Sequence, residues 1–413
     1  MSRLLFFILL LFPFSAVAQD VEASDSLDIE EYDTLAVDSI APPLPWPESL
    51  QAALDSVMAH SRVLKTAQLG LAIYDLTADS MLYAVNDRYT MRPASVMKLV
   101  TAITALDKLG ESYRFTTRLY YDGEIVDSTL VGDIYCVGGF DPRFNSDDMR
   151  AFVEEIKELG IDTIDGRIVA DVSMKDSKEY GEGWCWDDDN AVLSPLLISR
   201  KDEFLSRFVS ALSDAGIYLK GYTSKATVPA TARCISSRYH SIDQILYQMM
   251  KESDNLYAES MFYQIAASTG KRYATAKDAA TVIRQLIQKV GLDPQTYRIA
   301  DGSGLSLYNY VSAELIVRLL RYAYENSNIY QNLLSTLPVA GVDGTLKSRM
   351  KGTKAAGNVY AKTGTVSGVS SLAGYVTSSN GHELCFAIIL NGLMKGSRGR
   401  ALQNRICTLM AEK

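Results

Sequence analysis

The chain has 413 residues, 47% of them hydrophobic, and carries 41 basic against 49 acidic side chains for a net charge of −8. That is enough for two domains and a large core, and the absence of any basic run argues against a nucleic-acid partner. The charge is uneven: Asp20 to Asp38 holds eight acids and no base, and with those and Arg3 set aside 40 basic residues face 41 acidic ones.

Residues 1–18 read as a secretory signal peptide: Arg3, an apolar run from Leu4 to Leu11 too short to span a bilayer, and Ala16-Val17-Ala18 as a small-residue cleavage pattern. Residues 19–47, acidic and then rich in proline, read as a disordered leader. No later segment is apolar for long enough to cross a membrane, so export to the periplasm as a protein without a span is expected. Five scattered cysteines (Cys136, Cys185, Cys234, Cys385, Cys407) lack metal spacing and read as small buried hydrophobes rather than a disulfide framework. His60, His240 and His382 form no zinc pattern, and no Gly-x-Ser-x-Gly is present, which weakens a Ser-His-Asp hydrolase. No metal and no cofactor is implied.

In the body, Leu50, Leu54, Val57 and Met58 keep a helical period, and Leu69 to Tyr74 with Met81 to Val85 read as a hairpin. Arg92 to Ala102 reads as the first turns of a helix, with Pro93 in the opening turn and the apolar period running to Gly110. From 113 to 239 short strand-like runs (Phe115–Tyr121, Thr129–Cys136, Ile164–Ala170, and near Ile217 and Thr227) alternate with helices at Met149–Leu159 and Glu203–Asp214. Helical periods return at Ile242–Lys251, Leu256–Ala267, Ala276–Val290 and Ala313–Tyr324. Strands follow at Val359–Lys362, Leu372–Thr377 and Leu384–Leu390, with Asn380-Gly381 as a turn. A last helix covers Gly399–Ala411. The expected architecture is α+β: one antiparallel sheet flanked by helices and built from both ends of the body (48–112 and 240–413), with 113–239 as a strand-rich inserted lobe.

Ser95 and Lys98, three apart, lie side by side on a helix. A serine hydroxyl becomes nucleophilic when an adjacent base removes its proton, and a lysine held neutral can do this. Bringing a lysine to neutrality near pH 7 costs about three pK units, roughly 4 kcal/mol, which burial or a nearby cation must supply. The pattern alone is weak, since Ser268/Lys271 and Ser348/Lys351 repeat it. Two further motifs follow in the order that serine-acylating penicillin-binding enzymes need. Ser253-Asp254-Asn255 sits between helices, where it could carry protons and hold a substrate carbonyl or simply cap a helix. Lys362-Thr363-Gly364-Thr365 lies in a strand, where a cation and a hydroxyl could grip a carboxylate, the glycine could let substrate approach, and the second cation could help keep Lys98 neutral.

These motifs resemble the peptidase S13 D-alanyl-D-alanine carboxypeptidases/endopeptidases, the low-molecular-mass class C penicillin-binding proteins. The likeness extends through Gly132-Asp133-Ile134-Tyr135, Gly138-Gly139, Asp141-Pro142, Gly183-Trp184-Cys185-Trp186-Asp187-Asp188, Asp301-Gly302-Ser303-Gly304-Leu305-Ser306, Leu337-Pro338, Gly341 to Thr345 and Leu372 to Tyr375. It implies a penicillin-binding-protein/β-lactamase-like fold and an exported enzyme acting on peptidoglycan stem peptides. In that reading Ser95 is nucleophile and Lys98 base, with Ser253, Asn255 and Lys362 completing the catalytic set. Thr363 would join Lys362 on the terminal carboxylate, Gly364 would let the substrate in, and backbone N–H groups of Ser95 and Thr365 would form the oxyanion hole. β-Lactams would acylate Ser95. The resemblance also implies Asp171 as the acceptor of a diamino acid's ammonium group. Leu307 departs from the family, which commonly has an arginine there. A serine β-lactamase shares the motif order but has a shorter connection between the first two motifs. A non-catalytic wall-binding protein would have no use for a nucleophile–base pair.

Overall fold

A computed structural model of the chain describes residues 44–185, 188 and 191–413. The expected signal peptide and most of the leader lie outside these residues, as do Trp186 and Asp187. The packed chain starts slightly before the expected boundary at 48, because Trp46 packs on the apolar cluster beneath the first helix and lies 5.2 Å from the His382 ring.

The elements in order are α1 (Glu48–His60), β1 (Gln68–Asp75), β2 (Ser80–Val85), α2 (Met97–Leu109), β3 (Arg114–Val126), β4 (Thr129–Val137), α3 (Ser146–Glu158), β5 (Thr163–Asp165), β6 (Ile168–Asp171) and α4 (Phe204–Asp214). Then come β7 (Tyr218–Leu219), β8 (Thr223–Lys225), β9 (Arg233–Ser241), α5 (Ile242–Lys251), α6 (Asn255–Ala267), α7 (Ala276–Lys289), α8 (Ala313–Glu325), α9 (Ser327–Thr336), β10 (Tyr360–Val366), β11 (Val369–Thr377), β12 (Glu383–Asn391) and α10 (Gly396–Glu412).

The five-stranded sheet runs β10-β11-β12-β1-β2 and is antiparallel throughout. It joins the two ends of the body, with Gln68 opposite Asn391 and Asp75 opposite Leu384. Because successive strand residues face opposite sides, its strands feed two cores. Ala72, Tyr74, Tyr375, Cys385 and Ile389 pack with α2, α6 and α8 on one face. Leu71, Ile73, Leu372, Phe386 and Ile388 pack with Leu50 and Leu54 of α1 and Leu402 and Ile406 of α10 on the other. Burial on both faces gives β12 a near-continuous apolar run, Leu384 to Leu390.

The second sheet spans Arg114 to Ser241, in the order β7-β5-β4-β3-β9, with β6 paired to β4 and β8. Its core joins β3, β4 and β6 to Met149, Phe152, Val153 and Ile156 of α3 and Phe204, Phe208 and Leu212 of α4. Three local expectations change. Ile164–Ala170 divides into β5 and β6 around Gly166, whose Cα lies too close to the Gly132 carbonyl for any side chain. The strands expected near Ile217 and Thr227 fall at β7 and β8. Neither β9 nor α9 was expected: β9 (RCISSRYHS) is polar and largely exposed, so it lacks the apolar alternation that marks a half-buried strand.

Cys136, Cys385 and Cys407 are buried, as small hydrophobes should be, and burial drives the Cys407 thiol pKa up to about 12. Cys185 and Cys234 are exposed, against expectation. No helix among the described residues is long and apolar enough to cross a membrane.

Candidate active site

The serine–lysine pair forms differently from the expected helix start. Residues Ala94–Val96 make a single 3-10 turn and the regular helix begins only at Met97, so Ser95 stands on the turn and Lys98 on the first turn of α2. Ala94 has φ +47°, a left-handed value that alanine adopts at a cost, and three neighbours hold it there. Ser371 of β11 donates to the Pro93 carbonyl at 2.5 Å. Gly304, at φ +81°, abuts the Ala94 carbonyl so closely that a Cβ would overlap it. Gly364 of β10 lies opposite, where an added Cβ would be 2.8 Å from the Pro93 carbonyl oxygen and 3.0 Å from the Ser95 nitrogen. The glycine of the Lys362-Thr363-Gly364 motif is therefore what lets β10 run against the backbone of the nucleophile.

All five predicted catalytic side chains are joined through the two lysines, in two groups: Ser95 and Asn255 on Lys98, and Ser253 on Lys362. Lys98 is fully buried, and its Nζ donates to Ser95 Oγ at 3.0 Å, Asn255 Oδ1 at 2.7 Å and the Ser303 carbonyl at 2.8 Å. Burial lowers its pKa to about 8, against the opposing pull of Asp301, Glu259 and Asp254. Lys362, also fully buried, donates to Ser253 Oγ at 2.7 Å and to the Thr363 carbonyl at 2.9 Å. Burial first, and the charge of Lys98 second, hold it well below an ordinary lysine. Neither lysine forms an ion pair with a described carboxylate.

Ser253-Asp254-Asn255 is both a helix cap and a functional turn. Asp254 caps α6 by accepting from the Tyr257 N–H at 3.4 Å and pairs with Arg200 at 2.5 Å. Ser253 takes φ +59°, an unusual conformation for serine, and this aims its hydroxyl at Lys362. Behind the motif, the buried Lys251 pairs with Asp343 at 2.6 Å and donates to the Leu337 carbonyl. That ties the end of α5 to the segment carrying Thr345, whose hydroxyl accepts from Thr363 Oγ1 at 2.8 Å.

The other two Ser-x-x-Lys pairs come to nothing. Ser268 caps the end of α6 by donating to the Ile265 carbonyl, and Lys271 turns away to Asp278 at 2.5 Å. Ser348 and Lys351 are exposed. Asp171 stands apart from the Ser95 group. It is buried, its two carboxylate oxygens accept from the Ser173 and Val228 N–H groups at 2.9 and 2.8 Å, and it lines a cavity of about 390 Å³ with Arg114, Arg118, Lys271 and Arg272. None of the five catalytic candidates lines that cavity.

Sequence reasoning did not see how the Asp301–Ser306 loop takes part. Asp301 is buried and accepts from the Gly304 N–H and the Asn309 amide with one oxygen, and from the Trp184 indole and the Ser306 N–H with the other. This fixes the loop whose Ser303 carbonyl receives Lys98.

The sequence profile described as "D-Ala-D-Ala carboxypeptidase 3 (S13) family" matches residues 50–200 and 197–413. The chain belongs to this S13 family. As a member it is a hydrolase, a carboxypeptidase of the penicillin-binding class. It is 28% identical to the D-alanyl-D-alanine carboxypeptidase of Actinomadura sp. (strain R39) over 88% of this chain and 84% of that protein. It is 24% identical to the D-alanyl-D-alanine carboxypeptidase DacB of Haemophilus influenzae over 80% of this chain and 86% of that one. Among solved structures, penicillin binding protein 4 from Haemophilus influenzae superposes with a TM-score of 0.78 at 23% identity, covering 86% of this chain and 97% of that one. A penicillin G acylated predatory endopeptidase from Bdellovibrio bacteriovorus shares the fold at a TM-score of 0.54 and 18% identity, over 82% of this chain and 91% of that one. The S13 fold thus agrees with the architecture expected from the sequence.

Proposed function

We propose that this S13 enzyme is an exported serine-type D-Ala-D-Ala carboxypeptidase and DD-endopeptidase that trims or opens peptidoglycan stem peptides through a Ser95 acyl-enzyme, and that β-lactams acylate the same serine. The observation that carries the reading is the fully buried Lys98 amine within hydrogen-bond reach of both Ser95 Oγ and Asn255 Oδ1.

In the proposed reaction Ser95 Oγ attacks the carbonyl carbon of the penultimate D-alanine while Lys98 takes the hydroxyl proton. Serine and base already share a hydrogen bond, so little reorganisation precedes attack. The oxyanion would accept from the backbone N–H groups of Ser95 and Thr365. Removal of one such donor costs about 3 kcal/mol in other acyl-transfer enzymes. The closeness of Gly364 to the Ser95 nitrogen supports this pairing. Collapse breaks the C–N bond, and Ser253, hydrogen-bonded to Lys362, carries a proton to the departing amine. Water then attacks the ester carbonyl and gives a proton to Lys98, which passes it to Ser95 Oγ as the C–O bond breaks and the carboxylic acid product leaves. Lys362 and Thr363 would hold the terminal carboxylate at the edge of β10. In an endopeptidase reaction the leaving amine belongs to a neighbouring stem peptide and the bond changes are the same.

The test is digestion of purified muropeptides by wild type and Ser95→Ala, with the products weighed. Loss of a single alanine from pentapeptides, or opening of cross-linked dimers, by wild type alone supports the proposal. Unchanged muropeptides together with no penicillin adduct on Ser95 overturn it.

A further inference from the structure

We infer that Glu259 is a positioning residue for the catalytic amine, holding the Gly302–Ser303 segment whose Ser303 carbonyl receives Lys98 and adding its own charge to the field at that amine; the inference rests on the reading of Ser95 and Lys98 as nucleophile and base.

Glu259 lies on α6 one helical turn beyond Asn255, so one helix face serves Lys98 twice. Asn255 accepts from the amine directly, whereas Glu259 reaches it through a loop. Glu259 is 1% exposed and forms no ion pair with a described cation. Its Oε1 accepts from the Gly302 N–H at 3.1 Å and the Ser303 N–H at 2.8 Å. The carbonyls of the same two residues face α2: Gly302 accepts from Thr101 Oγ1 at 2.7 Å and Ser303 from Lys98 Nζ at 2.8 Å. Gly302 is pressed onto α6, where an added Cβ would be 2.9 Å from the Ala258 carbonyl oxygen. The short segment is therefore clamped between two helices, with a carboxyl on its N–H side and an amine on its carbonyl side.

Glu259 acts on Lys98 by charge as well as by position. The Ser303 carbonyl belongs to the next peptide unit, whose Gly304 N–H goes to Asp301, so an ionised Glu259 favours the ammonium form of Lys98 through space, and a neutral group there relaxes that preference. The other groups facing Lys98 are Asp301, Asp254 and Lys362, and those facing Glu259 are Asp301, Lys175 and Tyr263. Burial, and Asp301 after it, raise Glu259 to about 8, the range to which burial lowers Lys98. The two groups therefore change charge over the same interval of pH.

The experiment uses the full chain as wild type, Glu259→Gln and Glu259→Ala, and follows acylation by a labelled penicillin against pH. In parallel, lysine labelled with 13C at Cε is titrated in a Ser95→Ala background, which reads the amine without acyl chemistry and so separates failure of this inference from failure of the proposed reaction. Glutamine keeps the accepting oxygen and removes the charge, so the Lys98 titration and the upper part of the acid limb, near pH 8 where Glu259 begins to ionise, should both move to lower pH. Alanine removes the acceptor, and the rate should fall on the order of a hundredfold at every pH. An unshifted limb with an unshifted Lys98 resonance in Glu259→Gln overturns the inference, whether or not the alanine variant folds.

Discussion

Around β3–β9, each of the three carboxylates that is buried meets donors. Asp141 lies 2.7 Å from His240 Nδ1 and accepts from the Arg143 N–H, Asp148 accepts from Arg238 at 3.1 Å and from the Asn145 N–H, and Asp171 accepts from two backbone N–H groups. In the five-stranded body, Lys98 and Lys362 are buried with hydroxyl, amide and carbonyl partners but no ion pair with a described carboxylate. Removing charge from water is expensive unless a counter-charge meets it. The lobe's buried carboxylates are met by donors within the lobe. Burial holds Lys98 and Lys362 below an ordinary lysine, so that Lys98 has a neutral fraction able to act as a base.

The largest effects should come from breaking the body's pair. Ser95→Ala and Lys98→Ala should abolish penicillin labelling with the fold retained by circular dichroism, while Ser268→Ala and Ser348→Ala label normally. Labelling of Lys98→Ala at the wild-type rate would remove lysine from its role as base. Next, Gly364→Ala puts a methyl group against the Ser95 nitrogen, the Pro93 carbonyl and Ser371 Oγ. A shift of β10 by about 1 Å should slow acylation on the order of a hundredfold, measured by stopped-flow with a chromogenic cephalosporin.

The pH dependence tests the contrast more finely. With Lys98 lowered to about 8, about a tenth of the amine is neutral at pH 7, so acylation should rise about tenfold per pH unit below that value and level off above it. Its effect on stability has a definite sign. The folded pKa is depressed, so between about 8 and 10.5 the unfolded chain binds more protons at this residue, and this contribution to stability rises with pH. Denaturant melts of Lys98→Met should show a flatter pH dependence across that interval. The smallest effect belongs to the lobe. Asp148→Ala removes the capping partner of the Asn145 N–H and the counter-charge of Arg238, and should lower stability by about 1–2 kcal/mol while leaving the acylation rate unchanged. A changed rate would mean that the lobe's charges act beyond the lobe.

The legibility of the fold followed burial. Strands β1, β11 and β12 and helices α2, α5, α6, α7 and α8 were readable because burial imposes a period on their residues. Strand β9 escaped because its pairing to β3 rests on backbone hydrogen bonds, which leave no mark on residue type. The site divided in the same manner. Side chains that act directly, Ser95, Lys98, Ser253, Asn255 and Lys362, stand in motifs with fixed spacing. Glu259 was missed although its four-residue distance from Asn255 on a helix put both on one face, a usable signal.

The sequence alone determined the order of the three motifs, the helical and strand periods around them, and the choice of glycine at 364, since these are properties of residue type and local spacing. Tertiary structure alone decided which of three serine–lysine pairs is embedded, that Ser95 stands on a 3-10 turn, and that Ser303 offers its carbonyl to Lys98. The reason is that a pKa depends on desolvation and on neighbours far apart in the chain. Residues 98, 255 and 303 share one hydrogen-bonding centre only after β1 and β12 have closed the sheet and α2 and α6 have packed onto it.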